Sequence, residues 1–144
     1  MTALRWGVAS DHAGFALKEK VRGWLRARGI EAQDLGAHSD ARTDYPDWGH
    51  ALGAAIAEGR LDRGVIVCGT GIGVSIAANR HAGVRAALCH DAFTAAMARA
   101  HNDANVLALG ARVLGDGVAE SVVDAFLSAA FEGGRHADRV VKLG

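Results

Sequence analysis

Short apolar runs alternate along this chain with stretches in which apolar residues recur every three or four positions. The first run, Trp6-Gly7-Val8-Ala9, leads into Ser10-Asp11-His12-Ala13-Gly14. Leu17, Val21, Trp24 and Leu25 then share one face at helical spacing, which predicts a helix stopping near Gly29. Residues 30–35 predict a second strand and residues 36–45 a polar loop. Pro46 suits the first turn of a helix running to about Gly59. Gly64-Val65-Ile66-Val67-Cys68 is a continuous apolar run, as expected of a strand covered on both faces. It enters Gly69-Thr70-Gly71-Ile72-Gly73 and then a helix to about Asn79. Residues 84–89 and 106–109 predict two more strands, separated by a helix bearing Phe93, Met97 and Ala100. A last long helix carries Val118, Val122, Phe126 and Ala130, with Val123, Leu127 and Phe131 beside them. The glycine-bounded stretch Gly133-Gly134-Arg135-His136-Ala137-Asp138-Arg139 is a basic tail.

Five strands separated by helices predict one α/β domain over residues 1–144, with a parallel sheet covered on both faces. Ligands in such folds bind beyond the carboxyl ends of the strands. The junctions after the strands therefore matter most: residues 10–14, 68–73, 89–91 and 109–112. His101-Asn102-Asp103 lies at the other end of its helix, so a role at the same site requires it to reach in from elsewhere.

Composition narrows the function. Of 144 residues, half are hydrophobic and 22% charged, as in a packed domain rather than a disordered chain. Sixteen basic and sixteen acidic residues cancel, which removes a broad basic surface for nucleic acid or anionic membranes but not a local anion site. The opening run MTALRWGVAS enters a strand pattern at once, and no apolar stretch has the length of a membrane span. Cys68 and Cys89 form neither a disulfide framework nor a zinc spacing, so a reduced, cytoplasmic setting is expected.

Nineteen glycines stand against one proline, and three of them define the strongest local signal. Gly69, Gly71 and Gly73 let backbone N–H groups turn towards one small volume, where the next helix presents its positive end. Such a loop suits an anion or a developing oxyanion; the plainer reading is a tight turn packed closely on the sheet. A dinucleotide fingerprint fails because Val74 stands where its third glycine belongs, and no Gly-Lys-Ser/Thr follows for a nucleotide loop. Cys68 is either a buried structural thiol or, at a strand end abutting a helix N-terminus, a reactive one. Cys89 lacks the loop and is expected to pack.

Asp11 and His12 either cap a helix or bind hydroxyls and assist proton transfer. His101 suits the negative end of its helix. Arg135 and Arg139 share one face if the tail is helical, giving either a solvated segment or a phosphate clamp. His38, His50, His81 and His90 have no metal-ligand spacing and are expected at the surface or in caps.

Together, SDHAGFALK at 10–18, RTDYPD at 42–47, CGTGIGVSIAANR at 68–80, HNDANVLALGARV at 101–113 and FEGGRHADRV at 131–140 resemble the family of type B ribose-5-phosphate isomerases. That family also holds galactose- and allose-phosphate isomerases, and the likeness runs nearly end to end. It implies a three-layer α/β/α sandwich, a parallel sheet of order 2-1-3-5-4, and homodimers or homotetramers whose active sites are shared between subunits. It further implies interconversion of an aldose phosphate and a ketose phosphate, typically ribose 5-phosphate and ribulose 5-phosphate, in the pentose phosphate pathway, with no metal or other cofactor. By that resemblance His101 and Asp11 open the sugar ring with Asn102 alongside, and Cys68 removes the proton next to the carbonyl. Relatives of another kind use a glutamate within the loop, where Ile72 stands here. The loop N–H groups from Gly69 to Gly73 and the Thr70 hydroxyl would hold the enediolate. His12, His136, Arg135 and Arg139 would hold the phosphate, with Arg112 reaching in from a partner subunit and Tyr45 lining the sugar. Two alternatives remain at this stage: an isomerase of a six-carbon sugar phosphate such as allose 6-phosphate, and a non-catalytic α/β binder of sugar phosphates or nucleotides.

Overall fold

The structure is a computed structural model describing residues 3–144; of the opening run, Met1 and Thr2 lie outside the described residues. Five strands form one sheet: β1 (Trp6–Ser10), β2 (Gln33–Asp34), β3 (Arg63–Cys68), β4 (Ala86–Leu88) and β5 (Val106–Gly110). Every pairing is parallel, and the spatial order is β2-β1-β3-β5-β4. The expected order and layering are therefore present. The predicted second and fourth strands are shorter than their apolar patterns, because each occupies an edge and pairs on one side only.

Helices α1 (Phe15–Ala27), α4 (Ala92–Asn102) and α5 (Asp116–Ser128) cover one face. Leu17, Val21 and Leu25 pack there with Val65, Leu107, Val122 and Phe126, and Cys89 joins them as expected. Helices α2 (Tyr45–Ala57) and α3 (Ile72–Asn79) cover the other face, where Leu52, Ala55, Val74 and Ala78 meet Ile66 and Ala108. Strands β1 and β5 are buried at every position, which accounts for their apolar sequences, broken only by Ser10 at the end of β1.

Two helical expectations need correction. The last long helix ends at Ser128, short of Ala130 and Phe131, and the basic tail forms its own helix, α6 (Arg135–Leu143). Gly133 and Gly134 make the break with positive φ values of 68° and 55°. In α4 the buried face runs through Ala95, Ala98, Arg99 and Ala100, while Phe93 is 72% exposed.

Candidate active site

The carboxyl ends of β1, β3 and β5 open on a cavity of about 430 Å³. Asp11 and His12 reach it from β1, Cys68, Gly69, Thr70 and Gly73 from the β3–α3 loop, Arg112 from beyond β5, and Tyr45 from the start of α2. Cys68 is the last residue of β3 and is 5% exposed, so the thiol belongs to both the core and the cavity floor.

The loop shape follows from its hydrogen bonds. Gly71 adopts φ 80°, and its N–H donates to Cys68 Sγ at 3.1 Å. A Cβ at Gly71 would lie 2.5 Å from Leu88 Cδ1 and 2.9 Å from the Leu109 carbonyl carbon, so glycine is required on both counts. The Ile72 N–H donates to Thr70 Oγ1 at 3.2 Å. These bonds revise the expectation that every loop N–H holds an oxyanion: those of Gly71 and Ile72 are engaged within the loop. The Gly73 N–H belongs to the first turn of α3, where helical N–H groups lack intrahelical acceptors.

Asp11 is buried, and its Oδ1 accepts the Gly14 N–H at 3.0 Å. This bond closes the turn before α1, whose N-cap is Gly14 rather than Asp11, so the helix-capping alternative is not met, and the same side chain borders the cavity. His12 Nδ1 lies 3.2 Å from both the N–H and the carbonyl oxygen of Thr43, an arrangement that fixes the ring and leaves Nε2 for the cavity. Thr43 is held in turn by Trp48, whose Nε1 donates to Thr43 Oγ1 at 2.9 Å.

Further back, the fully buried Lys18 ammonium donates to Asp34 Oδ1 at 2.8 Å and to the Ala37 carbonyl. Burial works against ionisation of Asp34, but the Lys18 hydrogen bond and the Gly36 N–H together hold its carboxyl below the usual range. This pair, a buried lysine on a half-buried aspartate, anchors the start of the segment that carries Thr43. Sequence patterns pointed to none of Lys18, Thr43 and Trp48 as site residues, although all three lie inside the motifs SDHAGFALK and RTDYPD or next to them.

Arg112 lines the cavity of its own chain, contrary to the expectation that it arrives from a partner. The Ala111 and Arg112 N–H groups donate to the Cys68 and Gly69 carbonyls at 2.9 Å each, which locks the segment beyond β5 onto the glycine loop.

The other candidates gather elsewhere. His101, Asn102, His136 and Arg139 line a separate cavity of about 240 Å³. The His101 and His136 rings stack with centroids 4.2 Å apart and planes 9° from parallel. Burial, then the neighbouring His101 and Arg135, push His136 below the ordinary histidine range, and Glu132 opposes this only in part. Glu132 Oε1 lies 3.7 Å from His101 Nε2 and 3.5 Å from His136 Nε2. Sequence reading passed over Glu132, although it stands four residues before His136 in FEGGRHADRV. Arg135 is exposed and borders neither cavity.

Helix α4 runs back from the carboxyl end of β4 to the amino end of β5, so His101 lies one strand length from the Cys68 cavity. The five residues of β5 span roughly 16 Å. One chain thus holds two groups of candidate residues at opposite ends of its sheet and does not bring them together.

Comparison with known proteins places this architecture. The family model described as Ribose/Galactose Isomerase matches residues 7–143. Ribose-5-phosphate isomerase B of Escherichia coli is 49% identical over 130 residues, covering 90% of this chain and 87% of that protein. The solved ribose-5-phosphate isomerase B of Clostridium thermocellum superposes with a TM-score of 0.95 at 49% identity, covering 98% of this chain and 95% of that one. The Mycoplasma genitalium ribose-5-phosphate isomerase B, solved with bound ribulose-5-phosphate, gives a TM-score of 0.93 at 41% identity, with 99% and 95% covered. The same sheet order, the glycine loop behind a buried cysteine and these near-complete matches lead to one conclusion: the chain belongs to the ribose/galactose isomerase family.

Proposed function

We propose that this protein interconverts ribose 5-phosphate and ribulose 5-phosphate through an enediolate, with Cys68 as the base. The observation that carries the reading is the buried thiol on the floor of a cavity shared with Asp11, His12, the glycine loop and Arg112. Isomerisation moves a proton from C2 of the open aldose to C1. Cys68 Sγ takes the C2 proton, the electron pair forms the enediol double bond, and the carbonyl oxygen gains negative charge. The Thr70 hydroxyl and the N–H groups not engaged within the loop face that charge; the O2 hydroxyl proton passes to O1, moving the negative charge to O2, and returning the abstracted proton to C1 as the C2 carbonyl forms completes the ketose.

Ring opening requires a proton moved from the anomeric hydroxyl to the ring oxygen. Asp11 stands at the cavity, while His101 and Asn102 would come from a second copy of the chain, since β5 separates them from it within one chain. His136, Arg139 and Arg135 of that copy would join His12 around the phosphate. Ile72 and Ile76, 53% and 52% exposed at the cavity mouth, and Val141 and Leu143, 78% and 63% exposed on α6, offer apolar surface for such pairing in a homodimer or homotetramer. Two unpaired, buried cysteines suit a reducing cytoplasm and a place in the pentose phosphate pathway.

The test is conversion of ribose 5-phosphate in heavy water, with allose 6-phosphate run in parallel. Ketose bearing solvent deuterium is expected from the pentose, and turnover should fall by about 10²- to 10⁴-fold in Cys68→Ala while its melting curve is retained. Unimpaired turnover by that variant removes Cys68 from the chemistry. Faster turnover of the hexose reassigns the substrate, and binding without conversion of either sugar turns the reading to a non-catalytic module.

A further inference from the structure

His101, Glu132 and His136 come from three different segments: the last turn of α4, the connection after α5, and the first turn of α6. The Glu132 N–H donates to the Ala100 carbonyl at 3.0 Å, which brings its carboxylate beside His101. One oxygen, Oε1, faces both Nε2 atoms, and a ligand atom from each residue lies within 4.8 Å of the others.

We propose that these three residues form a binding site for a divalent transition-metal ion of the zinc class. Two imidazoles and a carboxylate are a donor set suited to zinc and poorly suited to magnesium or calcium, which favour all-oxygen shells. Tetrahedral zinc with bonds near 2.0–2.1 Å separates its ligand atoms by roughly 3.3 Å. The nitrogen–oxygen separations of 3.7 and 3.5 Å stand a few tenths of an ångström from that value. The stacked rings, 4.2 Å apart and 9° from parallel, hold their lone pairs nearly side by side, so tetrahedral closure takes a large rotation of one ring. His101, with 38% of its side chain exposed against 8% for His136, is the freer to move.

Both histidines also line the 240 Å³ cavity together with Arg139. That guanidinium opposes a bare cation and favours one whose fourth ligand is an anion. Under the proposed isomerase reading, the ion would occupy the two histidines assigned to ring opening and phosphate, making it a reversible inhibitor rather than a cofactor.

The full chain, stripped with a chelator and dialysed, is titrated with zinc chloride by calorimetry in a non-coordinating buffer. One ion per chain is expected for the parent and for Cys68→Ser. Affinity should drop by about tenfold or more in Glu132→Gln and in His136→Gln, with folding checked by circular dichroism. Cobalt(II) offers a second reading on the unaltered chain, through the visible bands of a four-coordinate nitrogen and oxygen site without thiolate charge transfer. Failure of the parent to bind, binding that survives both ligand variants, loss of binding in Cys68→Ser alone, or a six-coordinate or thiolate cobalt spectrum overturns the proposal. Zinc should also slow ribose 5-phosphate turnover until chelator is added. The calorimetric and spectroscopic arms stand whether or not that sugar proves to be the substrate.

Discussion

Replacing Gly110 by alanine asks whether the glycine loop is held in place by close contact of backbone with backbone. Gly110 ends β5 and pairs in register with Cys68. A Cβ there would sit 2.5 Å from the Thr70 carbonyl oxygen and 2.7 Å from its carbon, whereas ordinary contact begins at 3.4 Å. The gap to be opened is therefore about 0.9 Å, and neither neighbour is a flexible side chain. Separation is resisted by the 2.9 Å hydrogen bonds from the Ala111 and Arg112 N–H groups to the Cys68 and Gly69 carbonyls. Forcing a methyl group into such a contact costs about 1–3 kcal/mol. A shift of nearly 1 Å in the reacting groups costs about 10²-fold in rate. Urea unfolding should thus report destabilisation of that size, and kcat/KM on ribose 5-phosphate should fall by roughly two orders of magnitude. Gly23 supplies the control: it is exposed within α1 with nothing within 4 Å of its would-be Cβ, so Gly23→Ala should stabilise by about 0.5–1 kcal/mol. If Gly110→Ala keeps kcat/KM within about threefold and stability within about 0.5 kcal/mol, the contact does not position the loop.

Two further outcomes are expected. Lys18→Met should cost about 3–5 kcal/mol in denaturant melts, because it leaves the half-buried Asp34 without its main cationic partner; a loss below about 1 kcal/mol would show that the pair contributes little. His136 binds its proton less readily in the folded chain than at the ordinary value of 6.5, so between the two values the unfolded chain holds the extra proton. Stability should accordingly decline as pH falls below 6.5 and level off beneath the folded-state value, and His136→Gln should remove that part of the decline. Parallel pH profiles for parent and variant would refute the assignment.

Much of the architecture was legible because burial on both faces leaves a direct mark in sequence. Residues 64–68 and 106–109 are apolar throughout, and they became β3 and β5 at the middle of the sheet. The edge strands were less readable: apolar pattern continues where pairing stops, so β2 and β4 were expected longer than they are. Junction residues were found because strand ends and glycines limit where a ligand can sit. The residues that orient them were not. Lys18 looks like an ordinary helix lysine until the fold brings Asp34 and Ala37 around its ammonium. Glu132 gains meaning only when α4 and α6 meet. Arg112 was placed on a partner only by the family resemblance, whereas its position just beyond a strand end already pointed to the cavity that it lines in its own chain.

The distance that β5 places between Cys68 and His101 has a consequence for inheritance. If each complete site draws its thiol from one chain and its histidine from another, a lesion at Cys68 disables the site on its own chain, whereas a lesion at His101 disables the site on its partner. Two defective alleles, one lacking Cys68 and the other His101, would then repair each other in part. A mixed pair concentrates both faults in one site and leaves its other site whole. Random pairing of equal amounts would restore roughly a quarter of all sites in a two-fold dimer. Neither defective chain alone would restore any.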